Sequence, residues 1–116
     1  MWIGQSCHGG LALAGHLITG AHGAAANWPH LQLPAPVPHE LEGRICWCGR
    51  TGCLETFLSM AGLESDYERV TGEWREAGEI AAASVHSDIV ADSITQVFED
   101  RLGRATATLI SLLDPD

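Results

Sequence analysis

Cys46-Trp47-Cys48-Gly49-Arg50-Thr51-Gly52-Cys53 sets three thiols within eight residues, at C-x-C-x4-C spacing. Gly49 and Gly52 let the backbone curl between the cysteines so that all three sulfurs can face one point. Zinc prefers four tetrahedral ligands drawn from thiolate sulfur and imidazole nitrogen, so a fourth ligand has to come from outside the motif. His22, His30 and His39 lie in the preceding loop, with Cys7 more distant. Spacing alone does not choose among them. Cys46 and Cys48 are poorly placed to form an unstrained disulfide with each other. Four protein ligands leave no open position for a reactive water, so the expected centre is structural.

Upstream of the thiols, residues 20 to 45 are rich in Gly, Ala and Pro, with Pro34, Pro36 and Pro38 at alternate positions. That pattern forbids a helix and favours an extended path. A loop of this length is usually functional or held by something, and a metal is the obvious tie. Before it, Ile3-Gly4 leads through Gln5-Ser6-Cys7-His8-Gly9-Gly10 into Leu11-Ala12-Leu13-Ala14, which predicts strand, tight turn and strand. Gly15 and His16 are expected to make the next turn, with Leu17-Ile18 continuing the sheet. A sheet opening at residue 2 reads as cut from something larger.

Downstream the pattern turns helical. Glu55 to Ala61 reads as a short helix that Gly62 stops, followed by helices over Leu63 to Val70 and Glu73 to Val85. Val90, Ile94, Val97, Phe98, Leu102, Ala105, Leu109, Leu112 and Leu113 then recur at three- and four-residue steps, one apolar stripe on one helix. Ser87 is the expected N-cap, with Asp88 in the first turn, and Pro115 ends the pattern.

The 116 residues suit one domain or part of one, and at 46% hydrophobic and 18% charged they can form a core that a metal would help to staple. Six basic residues against 15 acidic ones give a net charge of −9 with no basic run, which argues against nucleic-acid binding. The opening has no basic n-region and no apolar stretch reaches membrane-spanning length, so the cytoplasm is the expected address and the cysteines read as thiols or ligands.

Extended to Cys46 through Glu55, the motif closely resembles the C-x-C-G-x-x-G-C-x-E signature of ROK proteins (repressors, open reading frames and kinases). Thr56-Phe57-Leu58-Ser59 resembles the fructokinase branch, where E-T-F-[IL]-S is typical. Gly10 through Gly23 is similar to the family's G-G-x-x-x-x-G-x-L-x-x-G-x-x-G stretch, and Leu112-Leu113-Asp114-Pro115-Asp116 resembles the end of the long helix that precedes its last glycine-rich, adenine-side strand. The resemblance implies an α/β fold, part of an actin-like, ribonuclease-H-like lobe. Residues 1–20 would be strands with a degenerate phosphate loop, 21–55 a zinc and sugar loop, and 56–116 helical. It implies phosphorylation of a hexose, fructose above all, with Mg-ATP. By the same resemblance His30 becomes the preferred fourth ligand beside Cys46, Cys48 and Cys53, Glu55 and His30 face the sugar, and Gly4, Gly9 and Gly10 belong to the phosphate loop.

The departures are specific. The family's G-E-x-G-H segment matches Ala26-Asn27-Trp28-Pro29-His30, so a sugar-binding glutamate is Asn27, an amide without charge. The phosphate loop G-T-G-x-G-G-G matches Gly4-Gln5-Ser6-Cys7-His8-Gly9-Gly10, with bulk at Gln5 and His8. The N-D-A aspartate and the D-x-G phosphate motif have no counterpart, so the chain alone is expected to be inactive. Its expected partners are a hexose and either a missing N-terminal lobe or a second copy. The alternative reading is a non-catalytic, zinc-stabilised sugar-binding or interaction module.

Overall fold

A computed structural model describes residues 1–115; Asp116, the last residue of the terminal family match, lies outside them. The chain opens with β1 (Trp2–Ile3) antiparallel to β2 (Cys7–His8), Trp2 opposite His8 and Ile3 opposite Cys7. A second hairpin pairs β3 (Ala12–Leu13) with β4 (His16–Leu17). The two hairpins form separate two-stranded sheets, where the sequence predicted one continuing sheet. The second turn is Ala14-Gly15, at φ 48° and 77°, and His16 is already in the strand. Two consecutive left-handed residues make the two-residue turn whose twist matches its strands.

The loop that follows contains two short 3-10 turns, Trp28–His30 and Pro38–Glu40, each with proline at an early position where a missing N–H costs nothing. A third 3-10 turn, Leu54–Thr56, leaves the cysteine motif and leads to α1 (Met60–Thr71), α2 (Ala77–Val85) and α3 (Ile89–Leu113).

Gly62 lies inside α1 and does not stop a helix. A Cβ there would stand 2.8 Å from the Phe57 carbonyl oxygen and 3.0 Å from that of Thr56. The glycine therefore lets the first turn of α1 press against the Leu54–Thr56 turn. Ser59 caps that end, its Oγ accepting from the Gly62 N–H at 3.0 Å. Gly62→Ala is expected to lower the urea midpoint, because overpacking costs about 1–3 kcal/mol and outweighs the roughly 1 kcal/mol of helix propensity that alanine adds. A midpoint equal to or above wild type would show that the contact relaxes freely.

The cap of α3 is Asp88, not Ser87. Asp88 Oδ1 accepts from the Val90 and Ala91 N–H groups, both at 3.1 Å, and Ser87 sits in the left-handed region before it. Two apolar clusters hold the chain together. Cys7, Trp28, Leu33, Leu54, Phe57, Leu58 and Ala105 form the one under the loop; Tyr67, Ile80, Ala91 and Ile94 form the one among the helices. No helix among the described residues is long and apolar enough to cross a membrane.

Charged groups are also buried between these clusters. Arg101 occupies a core-facing place in the α3 stripe between Phe98 and Ala105, 5% exposed. It donates to Glu40 at 2.9 Å and to Asp66 at 2.6 Å. Arg44 pairs with Asp66, and Arg104 reaches Glu40 at 2.8 Å. The Arg44 and Arg101 guanidiniums lie 4.7 and 5.0 Å from the centre of the Phe57 ring.

Candidate metal centre and sugar loop

The cysteine motif folds as a knuckle. Ile45 pairs with Thr51. The Cys46 N–H donates to the Arg50 carbonyl at 2.8 Å, and the Gly49 N–H to the Cys46 carbonyl at 2.9 Å. Gly49 and Gly52 both take left-handed φ, 84° and 78°, as the curl between the thiols requires.

The strand-like segment after Trp28–His30 pairs back onto this knuckle. Gln32 bridges Cys53, the Leu33 N–H donates to the Gly52 carbonyl at 3.0 Å, and the Leu54 N–H donates to Leu31 at 2.8 Å. This pairing carries His30 to the thiols. The ligand atoms of His30, Cys46, Cys48 and Cys53 all lie within 4.8 Å of one another. Cys46 Sγ is 3.6 Å from His30 Nδ1, and Cys48 Sγ is 3.6 Å from Cys53 Sγ. A tetrahedral ion bonded to sulfur at about 2.3 Å and nitrogen at about 2.0–2.1 Å needs edges of about 3.8 Å between sulfurs and about 3.6 Å from sulfur to nitrogen. The cluster can therefore hold a metal ion. Trp47 meets the His30 ring edge-on, centroids 4.6 Å apart.

The thiols differ in electrostatics. Hydrogen bonds from the Arg50 backbone and side chain pull the Cys48 thiol down to about 6, while burial first and the neighbouring Cys48 second push Cys53 up to about 12. Cys7 is not in the cluster. It is fully buried under the loop, its thiol pushed up to about 12 by burial and then by Glu55. His22 and His39 are exposed elsewhere in the loop.

Glu55 sits in the Leu54–Thr56 turn, next to the last cysteine, and its Oε2 accepts the Cys7 N–H at 2.9 Å. It borders a hollow of about 260 Å³ shared with Trp47, Ser59 and Ser65. Asn27, exposed, borders a different hollow of about 300 Å³ with His8, Gly9 and Pro29. Gly4 is buried, its N–H engaged with the Ser6 carbonyl at 3.0 Å. A Cβ at Gly9 would lie 3.0 Å from Trp28 Cβ, and one at Gly10 would meet nothing. The arginine–carboxylate network was missed in the sequence, and Arg101 was legible only as a break in the α3 stripe.

A sequence profile of the ROK family matches residues 1–116. The chain is 32% identical over 118 residues to the N-acetylgalactosamine kinase AgaK of Shewanella sp. strain ANA-3, covering all of this chain and 38% of that protein. It superposes on the ROK hexokinase of Thermus thermophilus with TM-score 0.83 and 25% identity, covering 97% of this chain and 36% of the other. A ROK family transcriptional regulator, homologue of the Escherichia coli MLC protein, gives TM-score 0.76 at 28% identity, covering 97% of this chain and 30% of the regulator. The chain thus spans well under half the length of the proteins it matches.

Proposed function

The chain belongs to the ROK family, and from that premise we propose that it forms the zinc-braced, sugar-facing part of an ATP-dependent hexose kinase. The observation that carries this reading is the gathering of His30 with three thiols immediately beside the turn that presents Glu55. Three thiolates and one imidazole are a soft, tetrahedral donor set that selects zinc over harder cations. Bound there, zinc supplies a rigid brace. Glu55 and His30 would then offer hydrogen bonds to sugar hydroxyls, while Asn27 borders a separate hollow. Gly9 and Gly10 would stand near the phosphates of Mg-ATP, where the small residues permit close approach.

Fructose is the sugar that the Thr56-Phe57-Leu58-Ser59 run favours by resemblance. Packing accounts for much of that run: Phe57 and Leu58 are wholly buried, and Ser59 caps α1. The sequence relative quoted above is a kinase of an N-acetylated hexosamine. Both pointers share a hexose ring, and calorimetry with fructose and with N-acetylgalactosamine distinguishes them.

In the isolated chain, weak hexose binding is expected, lost in Glu55→Gln, with no sugar-dependent ADP release. A positioned general base contributes about 10²–10⁴-fold, and the N-D-A aspartate has no counterpart here. The opposite lobe, from the same longer chain or a separate one, would supply it. Steady sugar-dependent turnover by the isolated chain, abolished by Glu55→Ala, would overturn this division of labour. Absence of binding to any hexose would remove the sugar reading itself.

A second reading rests on the regulator superposition. The same lobe serves there in a transcriptional regulator, so a sugar-binding module without phosphoryl transfer fits the same geometry. Adding the opposite lobe decides between them: turnover supports the kinase, binding alone the module.

A further inference from the structure

We propose that Arg44 is a positioning residue for Glu55, tying the metal knuckle and the sugar-facing turn into one rigid unit; the proposal rests on the sugar-facing reading of Glu55. Arg44 lies two residues before the first cysteine of the motif and is 4% exposed. Its carbonyl accepts the Gly52 N–H at 2.9 Å, which closes the stem of the knuckle. Its side chain runs the other way. One guanidinium nitrogen donates to the Thr56 carbonyl, immediately after Glu55, and a second donates to Asp66 of α1. The guanidinium carbon lies over the ring of Phe57, the next residue along, 4.7 Å from its centre.

Backbone pairing and burial hold the start of the Leu54–Thr56 turn, where the Leu54 N–H donates to the Leu31 carbonyl at 2.8 Å; farther along, the side-chain hydrogen bonds to its backbone, other than that of Arg44, are local. Thr56 Oγ1 bonds the Cys53 carbonyl at 2.8 Å, and Ser59 Oγ bonds the Glu55 carbonyl at 2.8 Å. Both contacts are local and would rotate with the turn. Arg44 anchors it to an element outside the turn, while the Cys7 N–H anchors the carboxylate itself. Arginine suits this task because its planar fork presents several N–H groups at fixed angles; lysine offers one point charge and cannot span Thr56 and Asp66 together.

The consequence concerns recognition rather than folding. Loss of the fork should let the turn shift, and a hydrogen bond lost from a charged group such as the Glu55 carboxylate weakens binding about tenfold or more. The test compares three variants of the chain with wild type. Arg44→Lys keeps a positive charge beside Asp66 and removes the fork. Arg104→Ala cuts the same buried network at Glu40, remote from the turn. Glu55→Gln weakens the carboxylate's bond to Cys7 directly.

The first readout is the Cys7 amide proton resonance, which reports the bond to Glu55 without any sugar. The others are zinc content, thermal midpoint and calorimetric affinity for fructose and for N-acetylgalactosamine. Arg44→Lys should shift the Cys7 amide in the direction seen for Glu55→Gln and weaken sugar binding about tenfold or more, with zinc retained. Arg104→Ala should lower the midpoint by a similar amount yet leave the Cys7 amide and the affinity unchanged. If Arg44→Lys does not fold, Arg44→Met, which removes the fork and leaves Asp66 paired with Arg101, takes its place. A Cys7 amide and an affinity at wild-type values in the variant that folds would overturn the proposal. Equal losses in Arg104→Ala would overturn it too, since they would show a general effect of stability. If wild type binds no hexose, the sugar reading fails, and the Cys7 amide still decides whether Arg44 sets Glu55.

Discussion

Replacing Cys48 with Ser is expected to release the metal and loosen the chain from Gly20 to Ile45. Structural zinc sites in small domains carry apparent binding free energies of about 10–16 kcal/mol, and that energy is folding energy wherever no site exists in the unfolded chain. Whole small domains typically have a stability of only about 5–15 kcal/mol. The loop leans on the centre because its regular structure is thin, two 3-10 turns and a few bonds to the knuckle, with Trp28, Leu33, Glu40 and Arg44 as its buried anchors. The helices have a second apolar cluster around Tyr67, Ile80, Ala91 and Ile94, so they should survive. The expected outcome is loss of about one equivalent of zinc by elemental analysis, with new protease cuts confined to the loop. Unchanged zinc content and unchanged protease resistance would require another ligand set. A chelator should reproduce the effect in wild type.

The cysteine knuckle was legible because its thiols are close in sequence: Cys46, Cys48 and Cys53 with two glycines leave the backbone few other ways to turn. Which histidine joins the thiols was not legible by spacing. His30, His22 and His39 all lie in one loop, and His30 reaches the thiols through the pairing of residues 31–33 with 52–54, a non-local register that no periodicity announces. The long stripe from Val90 onward correctly marked α3, since a 3.6-residue period persists over many turns. The same reasoning misplaced the helix boundaries near Gly62 and Ser87. At Gly62, a packing demand from Phe57 and Thr56 determines the residue, whereas propensity alone reads glycine as a stop. At Ser87, Asp88 competes for the same capping role and its carboxylate reaches two N–H groups. The buried arginines were invisible for a related reason. Glu40 and Arg101 stand 61 residues apart, and a charged residue reads as surface until its partner is known.

Arg101→Ala should cost about 3–5 kcal/mol of stability, the range found when one partner of a buried ion pair is removed, and that would be a large share of the whole. Two effects combine. Glu40 and Asp66, 6% and 15% exposed at their side chains, each lose a charged donor. The Phe57 ring also loses the guanidinium beside it. Arg104 and Arg44 remain to share the two carboxylates, which places the expected value nearer the lower end.

The same network gives a pH signature. Burial alone would raise the Glu40 carboxyl, but hydrogen bonds from Arg104 and Arg101 outweigh it and hold the group down at about 2, against 4.5 when free. A carboxylate held lower in the folded chain than in the unfolded one contributes stability that is complete above about pH 4.5 and is lost as the pH falls towards 2. Wild type should therefore destabilise steeply across that window in urea titrations. Glu40→Gln should be less stable at neutral pH and show a shallower slope between pH 4.5 and 2. Arg101→Ala should fall between them, because Arg104 still holds the carboxylate. Parallel slopes for wild type and Glu40→Gln would mean that other carboxylates govern the acid limb and that the Glu40 pairs contribute little.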